Sequence, residues 1–347
     1  MRIAIIGAGV SGLVCAHLLH RDHELVIFEA SDRAGGHANT VHVETDTGAY
    51  NLDTGFVVFN DRNYPGFERL LGELGVATQP SQMSFGVSDG VDFEYNGASP
   101  NGLFAARSNM IEPAFHRMIA DVIHFNRDAR QLLVSKENPS LRDWLSQQRY
   151  SRMFVERLIV PQASAVWSAV SSRGCEPERF DAVVIATHSD QALALLADPS
   201  ERERELLGAI PYQQNEVVLH TDRSLLPRRR RAWASWNFHL DAGSQWRCMV
   251  TYHMNRLQSL RADREFCVTL NRTEAIDPEQ IIWTMRYAHP VFIPTGVAQA
   301  HHDEISGRNR THYCGAYWGW GFHEDGLSSA RRVVGELSLQ RAEPVRI

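Results

Sequence analysis

The chain has no apolar run long enough to cross a membrane, no cysteines at C-x-x-C spacing and no excess of basic over acidic residues. The first absence leaves no segment that reads as a transmembrane helix. The five cysteines, Cys15, Cys175, Cys248, Cys267 and Cys314, are scattered, which reads as reduced, buried thiols of a cytoplasmic protein rather than a disulfide framework. Thirty-five Lys and Arg against forty-one Asp and Glu give a net charge of -6, which disfavours nucleic acid as a partner. No Gly-x-Ser-x-Gly elbow marks a hydrolase. His301, His302 and Asp303 lack further ligands at helical spacing, so no metal centre is expected. Lysine is nearly missing, with Lys136 alone in the polar turn SKENPS.

What is present begins at the first residues. The β-branched run Ile3 to Ile6 suits a strand buried on both faces. GAGVSG follows: Gly7 allows a tight turn, Gly9 lets the backbone approach a pyrophosphate, and Gly12 lets the next helix pack closely on the strand. Ser11 sits in that helix's first turn, where N–H groups and dipole face phosphate. These glycines assign the apolar start to a dinucleotide fold rather than a signal peptide. A second strand, ELVIFE, ends in Glu29, placed to accept hydrogen bonds from a ribose.

The continuation EASDRAGGHANT carries Arg33, Gly35, Gly36, His37 and Thr40 back past the same pyrophosphate, which separates FAD from NAD. The pattern Glu-x3-Arg-x-Gly-Gly-x3-Thr resembles the flavin amine oxidase, phytoene desaturase and protoporphyrinogen oxidase superfamily; His37 stands where that superfamily commonly has Arg. The resemblance implies an α/β fold, a Rossmann-like FAD-binding domain of the amine oxidase type (GR2), interleaved with an α+β substrate domain. Residues 1–60, 171–200 and 310–340 would form the first, and 61–170 and 201–309 the second.

Along the chain, HVET and GAYNL read as a strand pair leading to Asp53, Thr54, Gly55 and Phe56, a loop the resemblance sets against the flavin. YPGFERLLGELG reads as a helix ended by Gly75. Apolar residues recur at helical spacing from Ile111 to Val134, and SLRDWLSQQ and SRMFVERLIV continue in that style, with Phe and Met as core. ASAVWSAV then runs into SSRGCEPER and the strand FDAVVIATHSD, where the superfamily has a further Gly-Gly segment, helices and an adenine-contacting strand. A segment missing near 169–172 is the expectation. Beyond Asp190, EVVLHTD, AWASWNFH, WRCMVTYHM, EFCVTLN and QIIWTMRYA read as strands of a sheet flooring the substrate site, one face packed and one partly open.

The closing YCGAYWGWGFHEDGLSSARRVVGEL reads as a strand, an aromatic loop and a helix with an acidic first turn. By resemblance, Gly321, Phe322, His323 and Glu324 approach the flavin with the helix amino terminus, Thr187 lies beside it, and Tyr317, Trp318 and Trp320 wall its face, with His323, Tyr317 and Trp318 as catalytic candidates. The same segments are similar to bacterial FAD-dependent oxidoreductases associated with cyclopropane-fatty-acid-synthase-like methyltransferases. That implies hydride transfer from a substrate C–H to flavin N5, as desaturation or dehydrogenation of a lipid-linked acyl chain, and a lipid methyltransferase as partner. Amine oxidases of the superfamily place a Lys near flavin N5, and no lysine stands in the second half of this chain. Amine oxidation, a non-redox isomerase or hydratase, and an FAD-stabilised partner subunit are the alternatives. Four adjacent arginines, Arg228, Arg229, Arg230 and Arg231, form a loop that reads either as a solvated turn or as a contact for anionic headgroups at the inner face of the membrane.

Overall fold

The computed structural model describes residues 1–134, 141–159, 178–240, 248–291 and 297–342. The junction near 169–172, Lys136 and Cys175 lie outside them. No helix among the described residues is long and apolar enough to cross a membrane.

Four parallel strands form the first sheet, in the order β13-β7-β1-β2, from β1 (Arg2–Ile6), β2 (Glu24–Phe28), β7 (Ala182–Ile185) and β13 (Thr311–Tyr313). Strand β1 is central, and its Ile3 and Ile5 are fully buried. Alternate residues of the sheet enter two cores. Ile3, Ile5 and Val184 pack with Val14 and Leu19 of α1 (Val10–Leu19) and with Leu327, Ala330 and Val333 of the carboxy-terminal helix. Ile185 and Tyr313 pack on the opposite side, with Ala192 and Leu206 of two short helices, Ser189–Leu195 and Glu201–Gly208. Each buried Ile contributes roughly 1.5–3 kcal/mol. Burial on both faces is why the run carries no polar alternation.

A seven-stranded sheet forms the other half, in the order β12-β8-β11-β10-β9-β5-β6. Five of its strands are those the alternating runs predict: β8 (Tyr212–His220), β9 (Trp236–His239), β10 (Val250–His253), β11 (Cys267–Leu270) and β12 (Ile281–Pro290), antiparallel throughout. The edge pair β5 (Phe85–Ser88) and β6 (Glu94–Asn96) is an addition that the sequence reading did not foresee; β5 runs parallel to β9. One face packs on the helical insertion Pro113–Val134, Leu141–Gln147 and the turns at Arg152–Ile159, with Phe115, Met118 and Phe154 buried against Val217, Leu219 and Val250. The opposite face is not partly open near the middle of the sheet. There a buried polar ladder runs from His220 Nε2 to Thr269 Oγ1 (2.7 Å), on to Thr251 Oγ1 (2.8 Å) and to His239 Nε2 (2.7 Å). The segment from Asp222 to Trp233 covers this face, so the polar atoms are satisfied by one another rather than by solvent.

The antiparallel pair β3 (Thr40–Thr45) and β4 (Gly48–Asp53) and helix α2 (Pro65–Glu73) follow the first two strands as the sequence predicts. Gly75 takes φ +67 just past α2, the left-handed conformation that ends a helix.

Candidate cofactor and active site

The site starts where two glycine loops meet. Gly7 takes φ +102, and a Cβ on Gly12 would stand 1.9 Å from the Gly7 carbonyl oxygen, so α1 can start this close to β1 only with glycine there. The second loop crosses the first: Gly35 N–H donates to the Ala8 carbonyl at 2.8 Å, and a Cβ on Gly36 would lie 3.0 Å from the Gly9 Cα. Nothing stands within 4 Å of the place a Gly9 Cβ would fill, and the helix begins at Gly9 with no side-chain cap. That leaves a side-chain-free surface at a helix amino terminus with unclaimed N–H groups, the environment a pyrophosphate needs.

Glu29 and Arg33 hold these loops in place. Glu29 Oε2 accepts from Ala8 N–H (2.7 Å), and its Oε1 accepts from Ala30 N–H, Ser31 N–H and Ser31 Oγ–H. Burial works against the charge, but these hydrogen bonds outweigh it and keep the carboxyl below its ordinary range, hence ionised. The Arg33 guanidinium donates to the carbonyls of Gly36 and Ala38. The Asp53–Phe56 loop closes the near side. Thr54 N–H donates to Asn39 O, Phe56 N–H donates to His37 O, and a Gly55 Cβ would lie 1.7 Å from that His37 oxygen. Thr187 packs over Gly7, its Cγ2 3.3 Å from where a Cβ there would be.

Three sequence candidates have other primary tasks. The Glu324 carboxylate accepts from Gly66 N–H (2.9 Å) and Phe67 N–H (2.8 Å), capping the amino terminus of α2 with charge-assisted hydrogen bonds. Thr40 Oγ1 donates to Asp53 Oδ1 at 2.6 Å and thus ties β3 to β4. Ser11 is buried, and its Oγ lies 2.8 Å from where a Gly326 Cβ would stand, so its side chain faces the closing helix α7 (His323–Ala342) while its backbone remains in the first turn of α1.

The far end of the cleft is made of imidazoles. His37 lies with its ring centroid 5.8 Å from that of His188 and 5.3 Å from the Tyr287 ring. His188 stacks on Tyr212 at 4.8 Å. His289, next to Asn215 on the neighbouring strand, completes this side. Across from them His323, the first residue of α7, stacks on Phe56 at 3.8 Å. Burial pushes His37 down to about 4, with Arg33 adding to it, and pushes both His188 and His323 down to about 3, with His37 adding to each. His289 is lowered as well, by burial and then by His37 and His188. All four rings are therefore neutral at pH 7, each with one donor and one acceptor nitrogen. The His188 Nδ1 and Tyr287 hydroxyl are buried with no hydrogen-bond partner among the described residues, which suits a place that meets polar atoms of a ligand.

Of the catalytic candidates, His323 belongs to this group, and Tyr317 and Trp318 do not. The last two are buried in the core with Ile185, Leu206 and Tyr313, on the far side of the parallel sheet, and Trp318 sits edge-on to His302 at 4.7 Å. Gly315 directs the chain that way: a Cβ there would lie 2.3 Å from the Tyr317 ring. Trp320 is 69% exposed. Phe322, also exposed, and Tyr64 instead pack edge-on near Phe56, Phe59 and Phe67, an aromatic cluster around His323. Sequence reasoning missed His188, His289, Tyr212 and Tyr287. The histidine after THSD-type strand ends was visible, but only the fold shows that it faces a residue 151 positions earlier, His37.

Comparison with known proteins fits this geometry. The family model of an NAD(P)-binding Rossmann-like domain matches residues 5–74. A protein described as a protoporphyrinogen oxidase from Exiguobacterium sp. 255-15 superposes with a TM-score of 0.67 at 14% identity, covering 98% of this chain and 99% of that one. The CLA-producing fatty acid isomerase from P. acnes gives 0.64 at 15% identity, over 96% and 98%. Cyclohexylamine oxidase from Brevibacterium oxydans IH-35A gives 0.60 at 13% identity, over 97% and 99%. The chain has a Rossmann-like dinucleotide-binding fold. More particularly, its two-sheet architecture is the fold shared by these three proteins.

Proposed function

We propose that the protein is an FAD-dependent oxidoreductase that acts on a C–H bond of an apolar, acyl-type substrate. The observation that carries this reading is the contact of two glycine loops at Gly9 and Gly36, next to the group of neutral imidazoles at His37 and His188. FAD, when bound, would supply the electron-accepting chemistry by taking hydride at N5. Gly7, Gly9, Gly12, Gly35 and Gly36 let backbone N–H groups approach the pyrophosphate, and Glu29 and Arg33 fix the two loops around it. The amino terminus of α7, at Gly321, Phe322 and His323, directs a partial positive charge at the electron-rich end. His37, His188 and His323 are uncharged, so each offers one donor and one acceptor nitrogen to relay a proton without placing a fixed charge in the cleft.

The substrate class rests on three supports. The aromatic cluster Phe56, Phe59, Phe67 and Phe322 offers apolar surface at the cleft; one structural neighbour is a fatty acid isomerase; and no lysine stands in the second half of the sequence. Lipid-linked substrate fits the basic loop as well. Arg228 and Arg229 N–H groups donate to the fully buried Glu94 carboxylate, which fixes the loop while Arg228, Arg230 and Arg231 remain exposed. Arg230 is paired with Glu265, and Arg228 and Arg231 would each contribute about 1 kcal/mol at an anionic membrane surface. A lipid methyltransferase partner rests on sequence resemblance alone.

The test is anaerobic addition of phospholipids with unsaturated or methylated acyl chains to the purified flavoprotein. Bleaching of the oxidised-flavin absorbance, with a product two hydrogens lighter, is the expected result. Unchanged absorbance with an isomerised product would replace oxidation by the isomerase reading.

A further inference from the structure

At the β13 edge of the parallel sheet, where the loop bearing His302 meets the closing helix, a second group of polar side chains sets an imidazole against two carboxylates. His302 is 1% exposed. Its Nε2 lies 2.7 Å from the Tyr313 carbonyl oxygen, which only accepts, so Nε2 carries the proton. In the neutral ring Nδ1 bears a lone pair, and the atoms beside it are also Lewis bases: Asp303 Oδ1 at 3.2 Å and Glu336 Oε1 at 3.9 Å. The other Glu336 oxygen, Oε2, is already occupied, accepting from Ser306 Oγ–H and His312 Nδ1–H at 2.8 Å each. Oε1 is thereby turned toward His302. The three base atoms lie within 4.8 Å of one another.

We propose that His302 Nδ1, Asp303 and Glu336 form a site for a zinc-class divalent cation. Two ligand atoms at about 2.0–2.1 Å from a tetrahedral ion are about 3.3 Å apart; the His302–Asp303 distance of 3.2 Å already meets this, and Glu336, 3.9 Å from His302 and within 4.8 Å of Asp303, moves inward as the ion binds. The surroundings have the form that metal-bound histidines show. The non-ligating Nε2–H is anchored on a backbone carbonyl, and the ligating carboxylate is held by a hydroxyl and a second imidazole. Charge favours a cation, because the two carboxylates outweigh the one nearby guanidinium, Arg332, 3.8 Å from Asp303. Asp303 is 87% exposed and leaves an open side for water. The ion would pin the loop bearing His302 to α7, the helix whose amino terminus enters the cleft, so the site is structural. A borderline imidazole with two hard carboxylates suits zinc over calcium or magnesium.

The experiment is calorimetric titration of the untagged, chelator-treated full chain with zinc chloride, beside Asp303→Asn and Glu336→Gln. Asp303→Asn is the decisive variant, since its exposure makes misfolding no explanation, and its retained flavin content serves as the folding control. One saturable site per chain, weakened at least tenfold by Asp303→Asn, is expected. No saturable binding, or binding of equal strength in Asp303→Asn, would overturn the proposal and leave a proton bridging His302 to its carboxylates.

Discussion

The two ends of the cleft are built by opposite means. The phosphate end is backbone: glycines at 7, 9, 12, 35 and 36, all within one short stretch of chain, remove side chains so that N–H groups can approach a ligand. The far end is side chain: His37, His188, Tyr212, Tyr287, His289 and His323 come from segments spread over nearly the whole sequence and meet only when the two sheets are assembled. One end binds by what is left out, and the other shapes chemistry by what is put in. The difference implies that the two ends fail in different ways, which allows each to be tested without the other.

The largest effect is expected at the phosphate end. Gly12→Val places atoms against the Gly7 carbonyl, where even a Cβ stands 1.9 Å away; backbone must shift, at a cost of about 3 kcal/mol or more. Bound flavin should fall at least tenfold, as read by absorbance against protein. Full flavin content in this variant would break the distinction between the two ends.

The far end should be seen in pH dependence. A histidine whose pKa is lowered by folding takes up its proton in the unfolded chain first. Its contribution is fully present above the ordinary value of 6.5 and is lost as pH falls toward the folded value, about 4 for His37 and about 3 for His188 and His323. Stability of the flavin-free protein should therefore fall between about pH 6.5 and 4, by at most about 1.4 kcal/mol per pH unit for each ring. His188→Phe should flatten that slope in chemical denaturation. Glu29, with a lowered carboxyl, acts only at the lower end of this window, as pH falls below its ordinary 4.5.

Glu324→Ala is expected to cost about 1–2 kcal/mol by removing the cap on α2, read as a lower melting temperature, with flavin affinity changed less than threefold. A large loss of affinity at unchanged stability would return Glu324 to the cofactor. The smallest effect belongs to Tyr317→Phe, which alters a core hydroxyl away from the cleft; the rate of flavin reduction by substrate should stay within twofold.

What could be read from the sequence follows from the same contrast. The glycine loops were legible because their spacing is local and their chemistry is steric, whereas the hydrogen bonds by which Glu29 and Arg33 hold those loops came only with the fold. Five strands of the large sheet were legible from alternation, whereas β5 and β6 are too short to alternate visibly and emerged only with the fold. Tyr317 and Trp318 misled because an aromatic next to a glycine reads alike in a cleft and in a core, and only the turn at Gly315 decides between them. Glu324 misled because an acidic first turn serves its own helix, a ligand or a neighbouring helix equally well. His302 looked ligand-poor because its third partner, Glu336, lies on the far side of a strand and a helix turn.

The measurement that most directly tests the account is equilibrium titration of the flavin-free full chain with FAD and, separately, with NAD and NADP. Binding of FAD with one equivalent per chain and at least a hundredfold preference over the nicotinamide dinucleotides is the expected result. Tighter binding of NAD or NADP, or no binding of FAD, would contradict the reading of the two glycine loops as a flavin dinucleotide site.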